Sequence, residues 1–367
     1  MIAMKKTFFF IAALMTLAAC SKVTPADEPS SEISFQAANY VPATKADASP
    51  VKFSNKDFGT FAWHHAGDGT ATAFIKNEQV GQKGSEWKTL NNTYYWPKSG
   101  SLDFISYSPF SADKAPAVTE TSIAWTGYTV AEDDLMYADK ALDQTKNIIP
   151  GTYNAISGAN GVPTLFHHAL AKLSFKVKAT FLEYTADDNN KSKTTWEVTL
   201  KSAKLSGLYN TGDLALALNE DKATWKTDGW KADASKTAKE VELVTKTGGV
   251  ALTTTPQDLN DGKSIFVLPQ ALAAKAQAIT VSFHIKTNLP NGNVYEEDYN
   301  ATLDLKDVST LAAWGMNQNI IYTIRIKPTA VANEEDPYMD DPSDVIITFD
   351  PAQMDWETVD ANATIQL

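Results

Sequence analysis

The chain has 367 residues, a formal charge of −12 and one cysteine. That length suits two domains of ordinary size with packed cores. The acidic balance excludes a nucleic-acid binder, which needs a basic footprint, and a lone cysteine excludes any disulfide within the chain.

Lys5 and Lys6 precede an apolar run over residues 7–17, and Leu17-Ala18-Ala19-Cys20 closes it with small residues. Residues 1–19 therefore read as a signal peptide, too short to span a bilayer as a stable helix. The ending is similar to a bacterial lipobox, in which the thiol takes a lipid before cleavage. Cys20 is the expected lipid-bearing residue, and a thiol is the nucleophile that stays reactive near neutral pH. Residues 21–32 are polar and contain proline, the composition of a tether. Ile33, Phe35, Ala37 and Val41 then share one face of a strand that Pro42 ends, with Asn39 as the exception. A small, polar stretch around Lys45 follows.

Residues 51–63 predict a first pair of short strands. Gly67, Gly69, Gly81 and Gly84 punctuate the next region into turns. Residues 94–97 and 102–109 carry strands, with a turn over 98–101. Residues 165–179, LFHHALAKLSFKVKA, alternate strictly from Ala169: Ala169, Ala171, Leu173, Phe175, Val177 and Ala179 face one way and the lysines the other. That period predicts a strand between core and water, opening a second β-domain. Trp196, Val198 and Leu200 alternate, and Ala203 and Leu205 continue on the opposite parity, so a β-bulge is expected at Lys201-Ser202. Residues 207–218 read as a hairpin around Asn210-Thr211-Gly212. Residues 279–285 and 320–326 alternate again. Only residues 269–277 and 310–316 could hold a helical turn or two. Residues 328–344 carry Glu334, Glu335, Asp336, Asp340, Asp341 and Asp344 with no Lys or Arg, an acidic connector. Residues 345–349 are a last clear strand, and Ala363, Ile365 and Leu367 alternate once more. The fold class is all-β, with strands at sandwich spacing.

Several patterns coincide in order along nearly the whole chain. They are the lipobox; Tyr95-Trp96-Pro97 ahead of Leu102-Asp103-Phe104-Ile105-Ser106-Tyr107; Asp134-Leu135-Met136-Tyr137-Ala138; Phe166-His167-His168-Ala169-Leu170-Ala171-Lys172-Leu173; Leu205-Ser206-Gly207; Val267-Leu268-Pro269-Gln270; and Ile347-Thr348-Phe349 ahead of Trp356. This ordered set resembles the fimbrillin family of Bacteroidales pilus lipoproteins. The resemblance implies two tandem transthyretin-like Greek-key β-sandwich domains, here over residues 46–160 and 161–367. It implies export as a lipoprotein to the cell surface, held in the outer membrane only by the lipid on Cys20. A trypsin-like protease would then cut between Lys45 and Ala46, removing residues 20–45 with the strand of Ile33, Phe35, Ala37 and Val41; Lys52 and Lys56 are the rival sites. Many family members carry arginine where Lys45 stands, so a strictly arginine-specific protease would not cut here. Other fimbrillin subunits are the implied partners, joined by strand exchange. The candidate donor strand holds Val345, Ile347, Phe349, Ile365 and Leu367; the other reading is that residues 345–367 complete their own second sandwich, as in a tip subunit. A tip subunit would also bind a host or bacterial surface ligand.

Catalytic and cofactor signatures are missing from the sequence. The five histidines, His64, His65, His167, His168 and His284, show no zinc spacing, and adjacent strand residues point to opposite faces. A structural or surface role is expected for them. The acidic runs follow no EF-hand pattern and read as solvated loops. No nucleophile elbow or phosphate loop appears. No enzymatic activity, cofactor or metal is expected. Trp225 and Trp230 lie in a polar stretch; the favoured reading is that they cover a sandwich end, since Trp is rarely fully buried, and as exposed aromatics they would suit a surface glycan-binding lipoprotein, the alternative to a pilus subunit.

Overall fold

The computed structural model describes residues 31–39, 51–53, 55–146, 161–181, 194–236, 238–244, 246–273, 276–289, 292–308, 311–328 and 345–355. Among them the chain is all-β. Helix is confined to α1 (Leu305–Val308) and a 3-10 turn at Asn260–Gly262.

The first sheet has nine strands. They are β1 (Ser34–Asn39), β2 (Val51–Lys52), β3 (Asp57–His65), β4 (Ala71–Lys83), β5 (Glu86–Thr89), β6 (Ser101–Ser108), β9 (Met136–Ala138), β10 (Ala141–Gln144) and β11 (Val162–His168). Strands β6, β3, β4, β5, β1, β11 and β9 pair in that order, and β9 pairs β6 again. The sheet thus closes on itself, which removes the free edges an open sheet must protect. Its interior is filled by Ile33, Phe35, Phe58, Ile75, Leu102, Phe104 and Phe166, among others.

A second sheet lies on the outer face of β3 and β6. It joins β7 (Ala117–Thr119) and β8 (Ser122–Thr129) to β14 (Thr211–Leu218), β15 (Trp225–Lys226) and β16 (Lys231–Ala232). Strand alternation gives β6 two apolar faces: Leu102 and Phe104 point into the ring, Ile105 and Tyr107 into the seam with the second sheet. Ile123, Trp125, Leu214 and Leu216 fill that seam from the other side.

The third and fourth sheets face one another across the largest core. The third holds β12 (Ala171–Ala179), β19 (Gln257–Asp258), β20 (Ile265–Val267), β25 (Gln318–Pro328) and β26 (Val345–Asp355). The fourth holds β13 (Thr195–Leu208), β17 (Lys239–Glu242), β18 (Val250–Ala251), β22 (Ala278–Asn288) and β23 (Val294–Asp304). Leu173, Phe175 and Val177 from one side meet Leu200, Val281 and Phe283 from the other, the layout of a sandwich.

The expected bulge is present: β13 pairs β22 with Leu200 opposite Phe283 and Ser202 opposite Ser282, a slip at Lys201. The alternating central strand is β12, with every odd residue buried and every even one partly exposed. Its N-terminal end departs from expectation. Residues 162–168 form the separate strand β11 in the first sheet, and the chain changes sheets at Ala169-Leu170. The hairpin expected over 207–218 is absent. Strand β14 leaves β13 and pairs β8 instead, because Leu214 and Leu216 find their apolar partners in the seam. The stretches expected to hold helical turns pair with each other as a ribbon, β21 (Gln270–Ala271) with β24 (Ala313–Trp314). Burial of Trp314, whose indole N–H donates to Tyr322 Oη at 2.9 Å, overrides local propensity there. Pairing also crosses residue 160 twice, β11 with β1 and β14 with β8.

Candidate functional site: the N-terminal strand and its groove

Strand β1 is held on both flanks. It runs parallel to β11, with Phe35 opposite Val162 and Asn39 opposite Phe166. On the other flank it runs antiparallel to β5, pairing Ser34 with Lys88 and Phe35 with Trp87, and then to β2, pairing Ala38 with Lys52 and Asn39 with Val51. Ahead of the strand, the Ile33 N–H donates to the Tyr94 carbonyl at 2.9 Å and the Trp96 N–H to the Ser31 carbonyl at 3.1 Å.

Ile33 is fully buried and Phe35 is 4% exposed. Phe35 meets Phe58 and Phe104 edge-on, each at 5.6 Å between ring centroids, a favoured aromatic geometry. Ala37 packs against the same cluster. Ala38 and Asn39 are both buried, so the alternation expected from sequence loses its parity where the flanking partner changes from β5 to β2. Gly161 explains how β11 comes so close: a Cβ there would lie 2.7–2.9 Å from Phe35 backbone atoms. At the rim Lys88 Nζ lies 2.9 Å from Glu86 and 3.0 Å from Glu32. The hydrogen bonds from Glu86 and then Glu32 raise the Lys88 pKa.

Val41, Lys45 and Ala46 lie outside the described residues, as do Cys20, Ile365 and Leu367. The stretch that holds the first three, residues 40–50, joins β1 to β2 in sequence. Val345, Ile347 and Phe349 lie on β26, which pairs antiparallel with β25 in its own chain; Ile347 stands opposite Ile326 and Phe349 opposite Ile324.

The histidines serve as structural ties. His167 Nε2 lies 2.9 Å from Asp139, and His168 Nδ1 bonds the buried Asp134 carboxylate. His65 Nε2 is 3.1 Å from Asp103, His64 bonds the Ser99 carbonyl at 2.8 Å, and His284 meets Asp298 at 2.8 Å. Lys201, ahead of His284, lowers the Asp298 pKa. Asp103 is 4% exposed, bridged by Lys140 Nζ at 2.9 Å and by the Asp143 N–H at 2.8 Å. Sequence reasoning missed this Asp103–Lys140 tie. Its signal is an acid set inside an apolar run, Leu102-Asp103-Phe104, since a buried charge needs a partner. No group of three or more His, Cys, Asp or Glu side chains is placed to hold a metal among the described residues. No described helix is long and apolar enough to cross a membrane.

The tryptophans follow the packing reading rather than the glycan one. Trp225 and Trp230 are partly buried in the seam, not exposed. The Trp225 indole N–H donates to the Ala138 carbonyl at 2.8 Å and that of Trp230 to the Ala169 carbonyl at 2.7 Å. Both indoles fasten the second sheet to the first.

A closed β-sheet with an N-terminal strand in its groove, followed by a β-sandwich, places the chain among all-β sandwich proteins. Residues 44–338 match the family model described as fimbrillin-like, and the chain belongs to that family. A fimbrial protein from Bacteroides vulgatus is similar in fold, with 17% identity and a TM-score of 0.50 over 89% of this chain and 99% of that one. A protein from Bacteroides uniformis described as a candidate cell adhesion protein matches at 14% identity and a TM-score of 0.44, over 90% of this chain and 99% of that one. The fimbrial anchor protein Mfa2 from Porphyromonas gingivalis matches at 10% identity and a TM-score of 0.28, over 89% and 98%. No curated protein sequence matches the chain.

Proposed function

We propose that this chain is a structural subunit of a cell-surface pilus. It is exported as a lipoprotein on Cys20, displayed at the outer membrane of a Gram-negative cell, and cut after Lys45 during maturation. Subunits then join by strand exchange, the donor coming from residues 345–367 of a neighbour. The role is structural and adhesive, not enzymatic.

One observation carries the reading. Strand β1, which precedes Lys45, is an interior strand of a closed sheet, paired on both flanks and anchored by Ile33 and Phe35. A cut within residues 40–50 leaves it held by non-covalent contacts alone. A buried large apolar side chain contributes about 1.5–3 kcal/mol, and each ladder hydrogen bond a net ~0.5–1.5 kcal/mol. The strand is therefore comparable to a domain's whole stability of ~5–15 kcal/mol. Its loss opens two flanks at once, and a replacing strand regains those contacts by addition to the sheet. Family membership supports the same reading.

N-terminal sequencing of sheared surface fibres is the test. The fibre subunit is expected to begin at Ala46; fibres whose subunits still carry Ile33 would overturn the reading. Labelling with a fatty-acid analogue checks the export step, with label on the precursor and none on Cys20→Ala protein.

A further inference from the structure

The strand that fills the groove shares an Ile-x-Phe-x-x-Ala pattern with a second segment of the chain. Residues 33–39 read Ile-Ser-Phe-Gln-Ala-Ala-Asn, and residues 347–353 read Ile-Thr-Phe-Asp-Pro-Ala-Gln. We propose that residues 347–353 of a second copy occupy the place of residues 33–39 in that register. Ile347 takes the Ile33 site, Phe349 the Phe35 site, Ala352 the Ala38 site and Gln353 the Asn39 site. This rests on the strand-exchange reading above and adds which residues fix the exchange.

The groove selects this register position by position. The Ile33 and Phe35 sites are the two apolar anchors, 0% and 4% exposed, and the match places the same side chains in both. Ala38 is 6% exposed, so its site takes a small residue, and Ala352 supplies one. Asn39 is 2% exposed, and Gln353 keeps an amide there. Pro351 falls at Ala37. On the flank away from β11, β5 pairs with Ser34 and Phe35 and β2 with Ala38 and Asn39, so Gln36 and Ala37 face a gap in the ladder. A residue without an N–H fits at such a gap.

Neighbouring registers fail on charge. Only even shifts keep the same residues on the core face. A shift of two in one direction sets Asp350 on the Ala38 site, and a shift of two in the other sets Asp355 on the Asn39 site. Each would bury a carboxylate where the structure holds a neutral residue, an unfavourable exchange. At the rim, Ile346 replaces Glu32, so Lys88 keeps Glu86 and gives up its second carboxylate.

Paired cysteines read the register directly. Ser34 stands opposite Lys88 and Ala38 opposite Lys52, so the proposal sets Thr348 against Lys88 and Ala352 against Lys52. Directly opposed strand residues have Cβ atoms about 4.5–5.5 Å apart, a separation at which a disulfide needs only small adjustment. Cells would express full-length chain carrying Lys88→Cys with Thr348→Cys, or Lys52→Cys with Ala352→Cys, and sheared fibres would be run on non-reducing gels. Both pairs are expected to give ladders of multimers; Lys88→Cys with Ile346→Cys or Asp350→Cys is expected to give monomer. A ladder from either of those controls, in place of the Thr348 pair, overturns the register and leaves strand exchange standing. Disulfides confined to single chains, or none with any pair in assembled fibres, overturn the proposal and the strand-exchange reading together. The two pairs lie at opposite ends of the groove, so misfolding of one variant leaves the other to decide.

Discussion

Tyr107 stands in the seam between the first two sheets, and its hydroxyl is tied down. It lies 2.7 Å from Asn77 Oδ1 and 2.9 Å from the Ser111 carbonyl, and accepts the Ser111 N–H at 3.2 Å. Burial pushes its pKa up to about 12, and pushes that of Tyr137 in the same seam up to about 12 as well. An unfolded tyrosine ionises near pH 10. Above that pH the unfolded chain binds fewer protons than the folded one, so stability is full below pH 10 and falls as pH rises toward 12. Tyr107→Phe is expected to lower stability at pH 7 by about 1–2 kcal/mol, through the lost hydrogen bonds, and to flatten the alkaline decline. Denaturant melts at pH 7 and pH 11 check both; equal losses at the two pH values would contradict the assignment. Arg325 gives a second prediction at this scale. It is the chain's one arginine, and it sits mid-strand in β25 between Lys178 of β12 and Thr348 of β26. Backbone paired on both sides does not thread into a protease. An arginine-specific protease should therefore leave the native chain at unchanged mass, and a fragment ending at Arg325 would refute this.

At the scale of elements, the seating of β1 is the property with consequences. Gly161→Ala would place a methyl against Phe35 backbone, where nothing flexible can yield. The strain expected is about 1–3 kcal/mol, read as a precursor melting ~2–4 °C lower per kcal/mol. Gly67→Ala is the control, since nothing lies within 4 Å of that position; equal shifts in both variants would sink the idea. What could be read from sequence, and what could not, divides at this same scale. Strict alternation found β12, and its parity slip found the bulge in β13, because one buried face leaves a period of two in the residues. The groove strand was legible through Ile33 and Phe35 for the same reason. Pairing partners were not legible. Residues 207–218 carry hairpin chemistry, yet β14 pairs β8 from a distant part of the chain. Trp225 and Trp230 sit among polar residues in sequence, and only the fold brings them to the carbonyls of Ala138 and Ala169. Local pattern fixes which face is apolar; long-range contacts decide which apolar face it meets.

At the scale of the whole molecule, the first closed sheet depends on chain from beyond it. Strand β11 supplies one wall of the ring, and β14, β15 and β16 complete the sheet that covers its outer face. A chain ending at residue 160 would lose Phe166 from the ring interior, and Ala169, Leu170, Leu214, Leu216 and Leu268 from the seam. Each buried large apolar side chain is worth about 1.5–3 kcal/mol, so the deficit is comparable to the ~5–15 kcal/mol by which a domain is stable. It would also leave Ile105, Tyr107, Ile123 and Trp125 facing water, an apolar surface prone to association. Residues 31–160 expressed alone are thus expected to aggregate or to unfold without a cooperative transition. Residues 31–328 keep every strand of the ring and of its cover, and should retain the seam. Thermal melts of the two fragments, followed by near-ultraviolet dichroism of the seam aromatics, separate the outcomes. A sharp transition in residues 31–160 would show the first sheet to be self-sufficient. Its absence there and presence in 31–328 would mean that the groove and its cover fold as one body, so that the subunit presents β1 on a framework braced by the chain that follows it.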